Sequence, residues 1–495
     1  MPCASLTGKP TRKCACGTER EGRRKITSKP CNPYTPGALR LGRALLAAAL
    51  LLAGCSTLPR LDVEDALRPP NFANASRVLT DEQSKAIVER LKRQAGDTDI
   101  LTRHIAVSEA ISGSPMVTGN QVTLLEDGPA TYAAMFAAIR AATANINFAT
   151  YIFEPDEVGK QFADLLMEKR RQGVEVNVIY DSVGSHRTPK TFFDAMRKAG
   201  IRVVEFNPVN PLSALPGSGL NNRSHRKLIV VDGSTAFVGG VNISNVYSTG
   251  SHVDAGSRAS GASRRTTGSW RDTHLQIEGP VVAEFQKIFL QSWEKQKAEP
   301  LTGNYLPALS PKGRHIVRAI ASTPDEQRNE LYLTLLSAVT FAERNIYLTN
   351  AYFAPDPQFI EALQAAAKRG VDVKLILPGT TDSWLAFHAG RSHYADLLAA
   401  GVKIYERRGP LLHAKTSTID GVWSSVGTTN LDWRSFLHND EVDAAILGRE
   451  FAQQMEAMFA RDIEKSDQIT PEQWARRSPA LRLKEWSARM LEYML

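Results

Sequence analysis

From residue 120 onward the chain switches repeatedly between two hydrophobic periods. "NQVTLLEDG" predicts a strand. Residues 129–144 predict a helix, with Tyr132, Met135, Phe136 and Ile139 at helical spacing. "NINFATYIF" predicts a buried strand, "GKQFADLLMEKRRQG" a helix closed by Gly173, and "VEVNVIYD" another strand. "FFDAMRKAG" and "IRVVEFN" continue the alternation. Strands interleaved with helices predict a sheet covered by helices. Residues 56–95 show no such pattern and are expected to be a loose polar stretch.

The pattern then recurs. "NINFATYIFEPD" from Asn145 matches "NIYLTNAYFAPD" from Asn345, "RRQGVEVNVI" matches "AKRGVDVKLI", and "AGIRVVEFNP" matches "AGVKIYERRG". Three matched segments in one order imply a duplication. The expected fold class is α/β: two homologous α/β/α sandwich domains in a pseudo-twofold arrangement, with the active site at their interface. The expected divisions are a leader over 1–54, a linker and N-terminal polar segment over 55–99, a first domain over 100–304, and a second over 305–495 with C-terminal helices. Residues 248–269, rich in Gly, Ser and Arg, are expected to form a surface loop. Its Arg258, Arg264 and Arg265 are either solvated or in contact with anionic lipid.

Charge changes the picture only at the start. Residues 1–54 hold ten Lys and Arg against two acids, which is the whole net charge of +8. The remainder, 60 less 10 basic and 52 less 2 acidic residues, is neutral, so nucleic acid is not an expected partner. All five cysteines lie at or before Cys55. Arg40 and Arg43 precede ten apolar residues, 44–53, which suit a secretory signal and are too few to span a bilayer. "LAGC" at the end of this run resembles a bacterial lipobox. The resemblance implies lipidation at Cys55, a membrane tether, and a place in the bacterial cell envelope facing the periplasm.

The candidate chemistry lies in a doubled motif. His225, Lys227 and Asp232 form H-x-K-x4-D, and His413, Lys415 and Asp420 form it again 188 residues later. Gly239 and Gly427 follow the aspartates by seven residues, and Asn242 and Asn430 by ten. Residues i and i+2 share a strand face, so each His and Lys project together. A pseudo-twofold would bring both pairs to one cleft. Two imidazoles and two ammoniums suit a phosphodiester. One His attacks phosphorus, the other protonates the leaving oxygen, and Lys227, Lys415, Asn242 and Asn430 hold the phosphate oxygens. No metal or other cofactor is expected. Asp232 and Asp420 complete the catalytic motif and are expected to fix the turn after each strand. A carboxylate should orient each imidazole. Glu441 lies 28 residues after His413 and Asp272 lies 47 after His225, the difference matching the Gly/Ser/Arg insertion.

The doubled H-x-K-x4-D resembles the phospholipase D superfamily over about 120–465. "TYIFEPD", "NNRSHRKLIVVDG", "FVGGVNIS", "WRDTHLQIEGP" and "SSVGTTNLDWRS" look most like bacterial cardiolipin synthases. The resemblance implies a transphosphatidylase joining two phosphatidylglycerols, with His225 as the phosphatidyl-histidine and His413 as acid/base. The reverse assignment stays open. Ser244, where the second copy has Asp432, is a possible site residue. Alternatives are a hydrolytic phospholipase D, a nuclease and a noncatalytic membrane scaffold. His186, His252, His274, His388, His393 and His438 are expected to be structural or exposed, with His274, in phase with Asp272 on one strand, a candidate to line the cleft. Trp270 and Trp433 are expected to be core. "SPALRLKEWSARMLEYML" predicts a basic amphipathic helix that docks on its own domain or lies on a membrane.

Overall fold

A computed structural model describes residues 58–61, 69–209, 221–251, 270–326 and 328–495. The leader, Cys55 and most of the Gly/Ser/Arg loop fall outside the described residues. The same local signals build each repeat. Asp156 and Asp356, closing "FEPD" and "FAPD", cap the helices Glu157–Arg171 and Pro357–Lys368 by accepting N–H bonds from Gly159 and Gln358, each at 2.9 Å. Gly173 and Gly370 take φ of 93° and 95° just past those helices, where a side chain would be strained.

The strand pairings match step for step. Asn145–Thr150 lies parallel to Glu175–Asp181, and Asn345–Asn350 parallel to Asp372–Pro378. Each first-named strand is flanked antiparallel by a motif strand, Leu228–Val231 or Lys415–Ile419. Each motif strand pairs with a hairpin partner, Thr235–Gly239 or Trp423–Gly427. Those partners pair in turn with Thr273–Glu278 and Asn439–Leu447. Met116–Glu126 pairs antiparallel with His315–Ser322 and joins the repeats into one 17-stranded sheet.

Both faces of this sheet are covered, which is why its strands are continuous apolar runs. Along Leu228–Val231 the side chains alternate. Leu228 and Val230 enter a core shared by both repeats, with Val426, Val442, Phe285 and Phe451, while Ile229 and Val231 face the first repeat's outer helices. Fully burying such a side chain contributes about 1.5–3 kcal/mol.

The 56–95 stretch departs from expectation: Asp81–Ala95 is a helix. Thr80 and Gln83 form a reciprocal capping box at its start, and Ile87, Val88 and Leu91 are buried with the second repeat's residues. The capping signal is visible in the sequence; the apolar stripe is too narrow to stand out among seven charged neighbours.

Candidate active site

Each motif histidine sits where one repeat touches the other. Arg223–Ser224 runs parallel to Asn439–Asp440, and the His225 N–H donates to the Asp440 carbonyl at 2.9 Å. Arg271 bridges Leu412 in the same sense, and the His413 N–H donates to the Arg271 carbonyl at 2.8 Å. This reciprocity brings both imidazoles to one cavity of about 430 Å3, whose wall also includes Tyr151, Asn242, Trp270, Tyr352, Asn430, Asp432 and Arg434.

The orienting carboxylates cross over. Counting within a repeat pairs Glu441 with His413 and Asp272 with His225. In the structure His225 Nδ1 meets Glu441 Oε2 at 2.9 Å, and His413 Nδ1 meets Asp272 Oδ2 at 2.7 Å. The reason is the seam. The last strand of each repeat starts beside the other repeat's motif, so Glu441 and Asp272, at those strand starts, each face the foreign histidine. Asn439 Nδ2 and the Thr428 hydroxyl also donate to Glu441, and the Thr273 N–H to Asp272. With both Nδ1 atoms engaged, the Nε2 atoms are the ones left for chemistry.

Lys227 and Lys415 are buried and stand behind the cavity wall. Each Nζ donates to the carbonyl of its own motif histidine, at 2.7 Å for Lys227, and sits over a tyrosine ring, Tyr151 at 5.5 Å and Tyr352 at 5.9 Å. Asn242 lines the cavity, with its amide donating to Tyr247 Oη and its carbonyl accepting from the Ile152 N–H, both at 3.1 Å. Asn430 lines it with Oδ1 buried and unpartnered.

Asp232 and Asp420 lie at the far ends of the motif strands, roughly 20 Å of extended chain from the histidines. Both take positive φ, 51° and 53°, and accept three backbone N–H bonds each: from Thr143, Ala144 and Asn145, and from Glu343, Arg344 and Asn345. They fix turns and do not line the cavity, so they leave the catalytic group in which the motif counted them. Ser244 also turns away: its hydroxyl donates to Glu154 and caps a short turn. Its counterpart Asp432 reaches the cavity while capping Trp433–Leu437. His274 is buried beside Asp272 with neither ring nitrogen hydrogen-bonded, and does not line the cavity. Trp270, expected in the core, packs its ring 5.2 Å from that of His413.

Electrostatics separate the two histidines. Burial, then the charges of Lys227, Lys415 and His413, push His225 well below the ordinary imidazole range. Burial pushes its partner Glu441 up to about 7. Burial and Lys415 also lower His413, but Asp272 opposes them; burial alone would raise Asp272, and the His413 charge holds it below the usual carboxylate range. His413 thus rests on an ionised carboxylate, the better seat for a proton. Burial lowers Lys227 to about 7 and Lys415 to about 8. Among the described residues no group of three or more His, Cys, Asp or Glu side chains could hold a metal ion.

A family model described as "Cardiolipin synthase, PLD-like domain" matches residues 135–252 and 335–463, one segment in each repeat. The cardiolipin synthase of Geobacillus kaustophilus (strain HTA426) is 35% identical over 430 residues, covering 86% of this chain and 82% of that protein. The cardiolipin synthase of Listeria monocytogenes serotype 4b (strain F2365) is 35% identical over 388 residues, 77% of each chain. Among solved structures, phosphatidylserine synthase of Haemophilus influenzae Rd KW20 matches with a TM-score of 0.57 at 13% identity, covering 76% of this chain and 95% of that one. The fold is that of the phospholipase D-like proteins. The chain belongs to the cardiolipin synthase family within them.

Proposed function

We propose that the protein is a transphosphatidylase that makes cardiolipin from two phosphatidylglycerols. The observation that carries this reading is the convergence of two carboxylate-paired histidines on one cavity, in a chain 35% identical to cardiolipin synthases. His225 Nε2 attacks phosphorus and the P–O bond to glycerol breaks. His413 gives its Nε2 proton to the departing glycerol oxygen. The glycerol hydroxyl of a second phosphatidylglycerol then attacks the same phosphorus, His413 takes its proton, and the P–N bond breaks. The lysine charges behind the wall, with Asn242 and Asn430 on it, steady the phosphate. Incubating the purified protein with phosphatidylglycerol and weighing the products tests this. Equal amounts of cardiolipin and glycerol support transfer; phosphatidic acid means water is the acceptor.

The same proposal takes the chain as a leader over 1–54, a polar segment over 55–99 and phospholipase D-like domains over 100–304 and 305–495. It takes the enzyme as a lipoprotein tethered through Cys55 and facing the periplasm. No helix among the described residues is long and apolar enough to cross a membrane. Labelling with a radioactive fatty acid, present in the wild type and absent in Cys55→Ser, tests the tether.

A further inference from the structure

The C-terminal helix Pro479–Arg489 uses two opposite faces. Leu481, Glu485 and Ala488 turn inward, and Ala488 packs with Ala354 and Ala389 beside Leu385 and Leu495. Glu485 is held there by Arg477 at 2.8 Å. Leu483, Trp486 and Met490 recur at i, i+3 and i+7, one stripe nearly opposite the packed face at about 100° per residue. They are exposed by 64, 62 and 69%. Solvent-facing apolar positions so regular are not the scattered exposure of an ordinary surface.

The stripe continues to the mouth of the active-site cavity. Met494, 65% exposed, and Leu495 line that cavity. Trp384, 50% exposed, begins the helix Trp384–Ser392, which packs on the C-terminal helix and contributes Ala386 to the cavity wall. Arg482 and Lys484 are exposed on this helix, and Arg489 at its end lies 3.9 Å from the exposed Asp396, whereas Glu485 is taken up internally by Arg477 and Glu492, just past the helix, by His393, each at 2.8 Å.

We propose that this face is the surface through which the enzyme lies on an anionic phospholipid bilayer. Leu483, Trp486 and Met490 enter the acyl boundary, the basic side chains meet the headgroups, and Met494 and Leu495 stand where a lipid passes from bilayer to cavity. An apolar stripe with a tryptophan and a basic flank is the pattern of an interfacial helix. The inference rests on the phospholipid reading of the site, because a two-chain substrate reaches the histidines only if the cavity mouth meets the bilayer.

The test uses the full chain and phosphatidylglycerol vesicles with brominated acyl chains. Bromine quenches a tryptophan only within the acyl region, so the signal reports this face whatever residues 44–53 do. Trp486→Phe is expected to lose most of the quenching seen in the wild type. Leu483→Ser with Met490→Ser is expected to weaken vesicle flotation about tenfold and to lower turnover of vesicle lipid by a similar factor. Turnover of a dispersed short-chain phosphatidylglycerol should stay unchanged. Equal quenching in wild type and Trp486→Phe overturns the proposal. So does a dimer in sedimentation that the double variant dissolves, which would assign the face to a second copy. Should the wild type turn over neither form of lipid, the chemical reading fails, while quenching still decides the surface.

Discussion

Replacing Asp272 by Asn should disable the second-motif histidine, not the first. The Asp272 carboxylate meets His413 Nδ1 at 2.7 Å in a fully buried site. A charge-assisted bond of this kind contributes about 1.5–3 kcal/mol, and an adjacent opposite charge holds a pKa by about 1–3 units. Asp272→Asn keeps the shape and removes the charge, so His413 no longer holds the proton that glycerol needs. Turnover of phosphatidylglycerol should fall about 10²–10⁴-fold. The diagnostic assay is a rapid quench with a lipid carrying 4-nitrophenol in place of glycerol. That group departs without a proton, so Asp272→Asn and His413→Ala should still release one equivalent of nitrophenol before stalling. His225→Ala should show no burst, and Glu441→Gln a slowed one. If Asp272→Asn abolishes the burst and Glu441→Gln spares it, each carboxylate serves its own repeat and the crossed pairing is refuted.

Other outcomes follow from the same geometry. A Cβ on Gly240 would lie 2.0 Å from Asp272 Oδ1, so Gly240→Ala should cost activity nearly as much as Asp272→Asn, with thermal melting as the check that the fold persists. Above about pH 8 both lysines lose their protons, so kcat/KM for phosphatidylglycerol should fall as pH rises from 7 to 9. Over that range the unfolded chain holds lysine protons that the folded one does not, so these groups favour folding as pH rises. A melting temperature falling in step with activity would assign the loss to unfolding. Burial would raise Asp232, but backbone N–H bonds from Ala144, Thr143 and Asn145 hold it below the usual range. Asp232→Ala should therefore lower stability by about 1–3 kcal/mol, read by urea unfolding, with kcat unchanged at permissive temperature. The aspartate's contribution should be full above its ordinary titration range and fade as pH falls through its lowered one.

Much of this was legible in the sequence because duplication doubles every signal. The matched strands around Asn145 and Asn345, the H-x-K pairs and the glycines after the helices each occur twice in one order. The turn role of Asp232 followed from its place beyond the apolar run. The carboxylate crossing was not legible, since spacing counts along the chain and the crossing is set by which strand ends meet at the seam. Arg434 and Tyr151 lie inside "NLDWRS" and "TYIFEPD", so their segments stood out but not their access to the cavity. Asp382, another residue of the cavity wall, belongs to a loop with no second copy to mark it. His274 shares strand parity with Asp272, yet it is buried instead of lining the cavity, because parity assigns a side and not a depth. The C-terminal helix was visible as amphipathic, but only packing tells which of its faces is covered.

The most direct measurement stops the reaction midway. The protein is mixed with phosphatidylglycerol, quenched within milliseconds, digested, and its peptides weighed for a phosphatidyl group held through nitrogen. The mass is expected on the peptide containing His225, scarce in His413→Ala, where departing glycerol lacks its proton, and absent in His225→Ala. A modified His413, or turnover with no covalent adduct on either histidine, would contradict a shared chamber in which one imidazole carries the lipid and the other moves its protons.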